Sequence, residues 1–274
     1  MLRVTPQEAA DLPEDDRLLV ATTCARRAEL ELRGAAAFTV VTQALIELRA
    51  DSRIVELSAR AIAEEIRHSD IYFELASHYA RAALPRPEVA PIDVPEHAGV
   101  SAELRRVLHV VGMCSINETM ACAFLELCLD GATSGKVRAA VREVLSDEIR
   151  HARIGWAFLA SPVVTASVRR EVGRWLVPML CAQLEGWWRQ IDTLPEGEVA
   201  GHACPSGQAI AEATLKSLGD LVLPGFQELG IDVSEAYRYA AGEVACPACG
   251  GWVGRRADTP ARAEASPAAS GART

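Results

Sequence analysis

The sequence predicts an all-α fold: a four-helix bundle with a long crossing between its second and third helices, then further helices at the C-terminal side. Three observations predict it. Apolar residues recur at steps of three and four over long stretches, the period of a helix face that packs inward. One segment with four prolines (Pro85, Pro87, Pro91, Pro95) interrupts that pattern and forbids a helix there. And one short stretch occurs twice, as Ala-Glu-Glu-Ile-Arg-His-Ser-Asp-Ile over 63–71 and as Ser-Asp-Glu-Ile-Arg-His-Ala-Arg-Ile over 146–154.

Taken in order, residues 1–16 are polar, with Pro6, Pro13 and the run Glu14-Asp15-Asp16, and read as a leader. Residues 17–160 hold the bundle. Its first helix is expected from about Asp16 to Arg49, and Asp51 or Ser52 caps the second, which runs to about Ala83. The proline-rich crossing ends near Gly99. Ser101 then caps a third helix to about Leu129, and Asp130–Gly135 is the turn into a fourth, which Ser161-Pro162 ends. Residues 161–245 read as a helical extension: a fifth helix to about Ile191, kinked or split at Pro178, a sixth from Ala209 to about Leu223, and a last short one capped by Ser234. Trp175, Trp187 and Trp188 on the fifth helix are expected to pack on the bundle, with a homodimer face as the alternative. Residues 246–274 hold Cys246-Pro-Ala-Cys249-Gly and a tail rich in Ala, Arg, Ser and Pro, expected to be disordered.

Each repeat carries a Glu-x-x-His: Glu65 with His68, and Glu148 with His151. Residues three apart share a helix face, so a carboxylate and an imidazole at this spacing can bind one metal ion. The stripe Leu57, Ala61, Tyr72, Leu75, Tyr79 continues through Glu65 and His68; Val141, Val144, Gly155 and Phe158 bracket Glu148 and His151. Both pairs should therefore point into a core. A lone buried carboxylate costs several kcal/mol, roughly, unless it is paired or bound to metal. Arg67 and Arg150 lie on the wrong face to pair with these two glutamates, so a metal is the simplest compensation.

Upstream of each pair stands a single Glu on an apolar stripe. Glu31 precedes Glu65 by 34 residues (65 − 31), with Glu29 as a rival on another face, and Glu118 precedes Glu148 by 30 (148 − 118). Thr133 lies 15 residues from both Glu118 and Glu148, so an antiparallel helix pair brings those two to one height. Gly34, Ala35, Ala121 and Cys122, one turn beyond the lone acids, leave room for ions.

The set Glu31, Glu65, His68, Glu118, Glu148, His151 resembles the ferritin-like di-iron carboxylate superfamily over roughly residues 20–160, where two helices each give a Glu and two each give a Glu-x-x-His. The resemblance implies a four-helix bundle holding two Fe ions, or a Mn/Fe pair, with the two imidazoles as terminal ligands and Glu65 plus Glu118 or Glu148 bridging. It also implies O2 as co-substrate and an external electron donor. About 110 residues follow the fourth helix and could wall a pocket, so the expected function is a di-iron oxygenase or oxidase acting on a small organic substrate. The alternative is iron handling or peroxide detoxification. Arylamine N-oxygenases of this family carry a further His ligand; Ala61 and Val144 stand one turn before the two Glu-x-x-His here, which places N-oxygenation in doubt. Tyr72 is a candidate redox relay, and Phe38, Cys114, Cys122 and Leu125 are candidate pocket lining.

Half of the 274 residues are hydrophobic, ample for a core, and the formal net charge of −9 argues against nucleic acid or an anionic membrane as partner. No uncharged apolar run reaches about 18 residues and no signal peptide opens the chain, so the expectation is a cytoplasmic protein with no membrane span. Of eight cysteines, Cys24, Cys114, Cys122 and Cys128 fall in predicted helices and read as buried thiols. Cys246 and Cys249 form half of a zinc-ribbon site; His202 and Cys204 are the nearby candidates to complete it, and without them the pair is loose and oxidisable.

Overall fold

The structure is a computed structural model describing residues 12–194 and 196–254. The greater part of the leader and the tail beyond residue 254 lie outside the described residues. The described chain is all helical, with no strand beyond two isolated bridges, one within the loop after α5 and one joining Gly201 of that loop to Ala132 after α3. Helix α1 is Glu14–Glu47, α2 Ser52–Ala80, α3 Ala102–Gly131, α4 Gly135–Ala160 and α5 Ala166–Thr193. Helix α6 joins Gly207–Ser217, a π turn Leu218–Val222 and Leu223–Glu228, and α7 is Ser234–Ala240.

Helix α1 begins inside the expected leader: Glu14, Asp15 and Asp16 form its first turn, where acidic side chains favour the positive end of the helix dipole. Asp51 caps α2 by accepting from Arg53 N at 2.9 Å, and Ser101 caps α3 by accepting from Leu104 N at 3.1 Å. At α7 the sequence expectation shifts by two residues: Asp232, not Ser234, accepts the bond, from Ser234 N at 3.0 Å. Pro178 does not split α5, which runs through it. Helix α3 is not uniform, because Val111–Asn117 winds as a π turn.

Helices α1 and α2 pack along their length, as do α3 and α4, and α2 lies against α4. The apolar interior falls into two zones. One holds Phe38, Ala61, Cys114, Ile154 and Phe158 with much of α5 to α7; the other holds Ala28, Tyr72, Leu75, Cys122, Leu125 and Val144. On each of the first four helices the zones meet at the acidic or imidazole positions: Glu31, Glu65 with His68, Glu118, and Glu148 with His151. The predicted stripes hold with one correction. Leu57 is exposed, and Ser58 is buried in its place, bonded to Thr42 Oγ1 at 2.7 Å.

Helix α3 is the one described helix long and apolar enough to cross a membrane by composition. Most of it is buried inside the protein, and it carries Glu118 at its centre, which is the pattern of a core helix.

Candidate metal centre

The six predicted side chains meet. Glu31, Glu65, His68 and Glu148 each offer one ligand atom, all within 4.8 Å of one another; Glu65, Glu118, Glu148 and His151 do the same. The two groups share Glu65 and Glu148. Glu29 does not take part: it is exposed and pairs with Arg26 at 2.8 Å. Glu65, Glu118, Glu148, His68 and His151 are buried, whereas the Glu31 side chain keeps 17% of its surface exposed.

Two glycines make the space. A Cβ on Gly34 would stand 2.7 Å from Glu65 Oε2, so only a glycine lets that carboxylate lie against α1. A Cβ on Gly155 would stand 2.6 Å from the backbone N of Ser115, inside the π turn of α3. Helices α3 and α4 therefore approach closely just before Glu118, where the widened turn delivers the carboxylate inward. Single π turns inside α-helices are frequent at functional sites.

Both imidazoles face the cluster through Nδ1. His151 Nδ1 lies 3.0 Å from Glu148 Oε2 and 3.1 Å from Glu65 Oε1. His68 Nδ1 lies 3.1 Å from Glu148 Oε1 and 3.7 Å from Glu31 Oε2. The other ring nitrogens point outward. His68 Nε2 is 3.0 Å from Asp147 Oδ2, and His151 Nε2 is 3.0 Å from Glu64 Oε2. Carboxylates accept only, so each Nε2 donates. Arg67 and Arg150 indeed avoid Glu65 and Glu148; they hold the outer acids instead. Both bond Asp147, and Arg150 reaches Glu64 at 3.1 Å with Arg60 at 2.8 Å.

Glu64 and Asp147 are the residues that sequence reasoning missed. The signal was present: the letter before each Glu of the repeat is acidic in both copies. Hydrogen-bonded outer carboxylates fix the tautomer and orientation of imidazoles that bind metal.

Electrostatics test whether a cation fits. With Nε2–H donating outward, each neutral imidazole turns a lone pair toward carboxylate oxygens. His68 Nδ1 is buried with no properly aligned hydrogen-bond partner, although Glu148 is close. Only a proton or a metal ion resolves that clash. Without metal, burial works against a charged His68, but Glu148 and Glu31 outweigh it and push its pKa up to about 10. His151 is pushed up to about 9, burial again being overcome, by Glu148, Glu118 and Glu64. Burial and the neighbouring Glu148 charge raise both Glu65 and Glu118 well above the carboxylate range. Glu148 goes the other way: bonds from His151, His68 and Glu118 overcome its burial and lower it. Four carboxylates and two imidazoles form a hard-to-borderline donor set suited to iron or manganese. The residues fit a metal ion.

Beside the cluster lies a cavity of about 130 Å³ lined by Glu31, Glu65, Glu118 and Glu148 on one side and by Trp187, Ile191, Leu194 and Ile210 of α5, its exit and α6 on the other. A second cavity of about 400 Å³ shares Leu30, Asn117, Trp187 and Gln190 with it and extends under the proline-rich crossing. Asn117 joins wall to cluster: Trp187 Nε1 donates to its Oδ1 at 3.2 Å, and its Nδ2 donates to Glu118 Oε1 at 3.3 Å. Of the other candidates, Phe38 stands edge-on to His151 with ring centroids 4.9 Å apart. Leu125 lines the smaller cavity, and the Tyr72 hydroxyl is buried with no hydrogen-bond partner among the described residues. Searched against protein-family models, curated proteins and solved structures, the chain matches none.

Proposed function

We propose that the chain is a ferritin-like di-metal oxidoreductase, a di-iron oxygenase or oxidase that uses O2 to oxidise a small organic molecule. The carrying observation is the pair of overlapping four-residue groups drawn from four helices. In this reading residues 17–160 form the ferritin-like bundle. Glu31 and His68 would hold one ion and Glu118 and His151 the other, with Glu65 and Glu148 belonging to both groups. Bound there, two iron ions supply the redox chemistry that amino acids lack.

The chain's own residues do the rest. Asp147 and Glu64 hold each Nε2 proton outward, so that both Nδ1 lone pairs face the ions. The apolar zones above and below close the site on two sides and leave it open at the partly exposed Glu31 and the adjoining cavity. The extension supplies the wall of the adjoining cavity, and that wall favours an organic substrate over iron storage, which needs no such pocket. Arg27 narrows the substrate class. It lines the same cavity from α1, buried, over the Phe124 ring at 4.7 Å, and its one hydrogen bond among the described residues is to Cys128 Sγ at 3.4 Å. A buried guanidinium with donors to spare suits a substrate bearing a carboxylate or similar anion.

The test is anaerobic loading of the full chain with Fe(II), metal counting, and O2 uptake with a reductant present. Two irons per chain are expected, with O2 consumption that ends after about one O2 per iron pair when the reductant is omitted and continues when it is present. A chain that retains no iron overturns the proposal. Many irons per chain inside a multi-subunit shell would favour iron handling instead.

A further inference from the structure

The cysteine knuckle near the C-terminus is completed by a residue that sequence reasoning did not pair with it. Cys204 lies elsewhere, beside Thr23 Oγ1 at 3.4 Å, and His202 is bonded to Tyr79 at 2.6 Å. The third thiol is Cys181, on α5. Its Sγ is 3.4 Å from Cys249 Sγ, and the sulfurs of Cys181, Cys246 and Cys249 all lie within 4.8 Å of one another. All three are free, Cys181 and Cys246 buried and Cys249 exposed.

The backbone around them is built for convergence. Cys246 N donates to Gly251 O at 2.7 Å, and Gly250 N to Cys246 O at 2.8 Å, closing a tight loop. Gly250 has φ +72°, a left-handed conformation that costs little only for glycine. Gly251 N points to Cys249 Sγ at 3.4 Å, and a Cβ on Gly251 would stand 2.9 Å from Cys181 Sγ. Any larger residue would fill the space between the sulfurs. Glu185, one helical turn beyond Cys181, has Oε1 4.0 Å from Cys181 Sγ.

Three sulfurs cannot all pair as disulfides, and 3.4 Å is far beyond the roughly 2.05 Å of a disulfide bond. Around a tetrahedral zinc ion, with Zn–S of about 2.3 Å, sulfurs stand about 3.8 Å apart. The Cys181–Cys249 separation of 3.4 Å and the 4.8 Å limit on all three pairs are compatible with that value. Soft thiolates also choose a different metal from the hard carboxylate set between α1 and α4.

We propose that Cys181, Cys246 and Cys249 hold a structural zinc ion, with Glu185 the nearest oxygen donor for the fourth position, and that this ion fastens the C-terminal segment across α5. The consequence reaches the cavity. Gln183, Gly186 and Trp187 on the same helix line the larger cavity, and Trp188 Nε1 donates to Val253 O at 3.2 Å just past the knuckle. A zinc ion at this place ties segment 246–254 to the wall of the pocket.

The experiment uses the full chain purified under reductant and loaded with Co(II), then with Zn(II). Thiolate-to-cobalt charge transfer in the near ultraviolet and intense tetrahedral d–d bands are expected, displaced by one equivalent of zinc. Cys249→Ser, at the exposed position, should lose the charge-transfer band and weaken zinc binding at least tenfold. Cys204→Ser, at a thiol that lies elsewhere beside Thr23, should keep both, which ties the bands to these three cysteines. Alkylation of Cys249 should be slow with zinc bound and fast after chelation. A wild-type spectrum without thiolate bands, or a zinc count that Cys249→Ser leaves unchanged, overturns the proposal. So does a Cys181–Cys249 disulfide found in protein kept under reductant.

Discussion

The His68 half of the cluster and the His151 half come from the same repeat, yet their surroundings differ. Their inner geometry matches: each imidazole turns Nδ1 to Glu148 and Nε2 to an outer acid. The outer acids are exchanged, Asp147 of the second copy serving His68 and Glu64 of the first serving His151. The lone glutamates differ more. Glu31 sits on an unbroken α-helix and is partly exposed, whereas Glu118 follows the π turn, is buried, and is bonded to Asn117 below Trp187. The repeat thus specifies the symmetric inner set. The asymmetry comes from the π turn of α3 and from the extension, which the repeat does not encode.

The largest effect should come from Glu148, one of the two residues both halves share. Glu148→Gln removes the carboxylate that lies nearest to both Nδ1 atoms, at 3.1 Å from His68 and 3.0 Å from His151. In chelator-treated protein this strands two imidazolium groups and should cost about 3–5 kcal/mol in urea unfolding. Glu31→Gln, confined to one half and partly in solvent, should cost much less. Equal losses would mean the halves are more alike than their burial suggests.

The glycines should break the comparison next. Gly155→Ala meets backbone of the π turn, which cannot step aside, and should cost about 1–3 kcal/mol by overpacking. Gly34→Ala meets only the end of the Glu65 side chain. It should leave the fold near wild type in thermal unfolding but lower the iron retained after dialysis. The exchanged outer acids should follow. Asp147→Asn and Glu64→Gln should each weaken metal binding about 10–100-fold, read by competition with a chelating dye. Each outer acid is held by two arginines, Asp147 by Arg67 and Arg150 and Glu64 by Arg60 and Arg150, so the two losses should be similar; a clear gap between them would place the tighter support at one imidazole.

The six inner side chains were legible because two signals coincide on them: a Glu-x-x-His copied once, and an apolar stripe that leaves no other way for those groups to face. The hairpin register was legible too, since Thr133 stands midway between Glu118 and Glu148. The π turn was not, because the spacing Val107, Val111, Cys114, Glu118 suits an ordinary helix equally well; Gly155, the residue that admits it, lies on another helix. Cys181 was missed for a similar reason. Its partners lie 65 and 68 residues away (246 − 181 and 249 − 181), and local spacing carries no information about that meeting. Leu57 was placed inward by period alone, and the hydrogen bond between Thr42 and Ser58 shows what fills that level instead.

The smallest effect is a proton count, and it asks whether the two halves titrate alike. In the metal-free chain His68 and His151 have pKa values of about 10 and about 9, above the ordinary value near 6.5. The folded state therefore holds those protons more tightly than the unfolded state. The stability they confer is fully present below about pH 6.5 and is lost as pH rises through about 9 and then 10. A metal ion needs the same nitrogens unprotonated, so loading at pH 7 must expel about one proton from each imidazole, and apparent affinity must rise with pH between about 7 and 9. Calorimetry in buffers of different ionisation heats counts those protons directly. His68→Ala and His151→Ala should each lower the count by about one. A variant that leaves the count unchanged would show that its imidazole is neutral before metal arrives, and that a carboxyl group such as Glu65 or Glu118 holds the proton in its place.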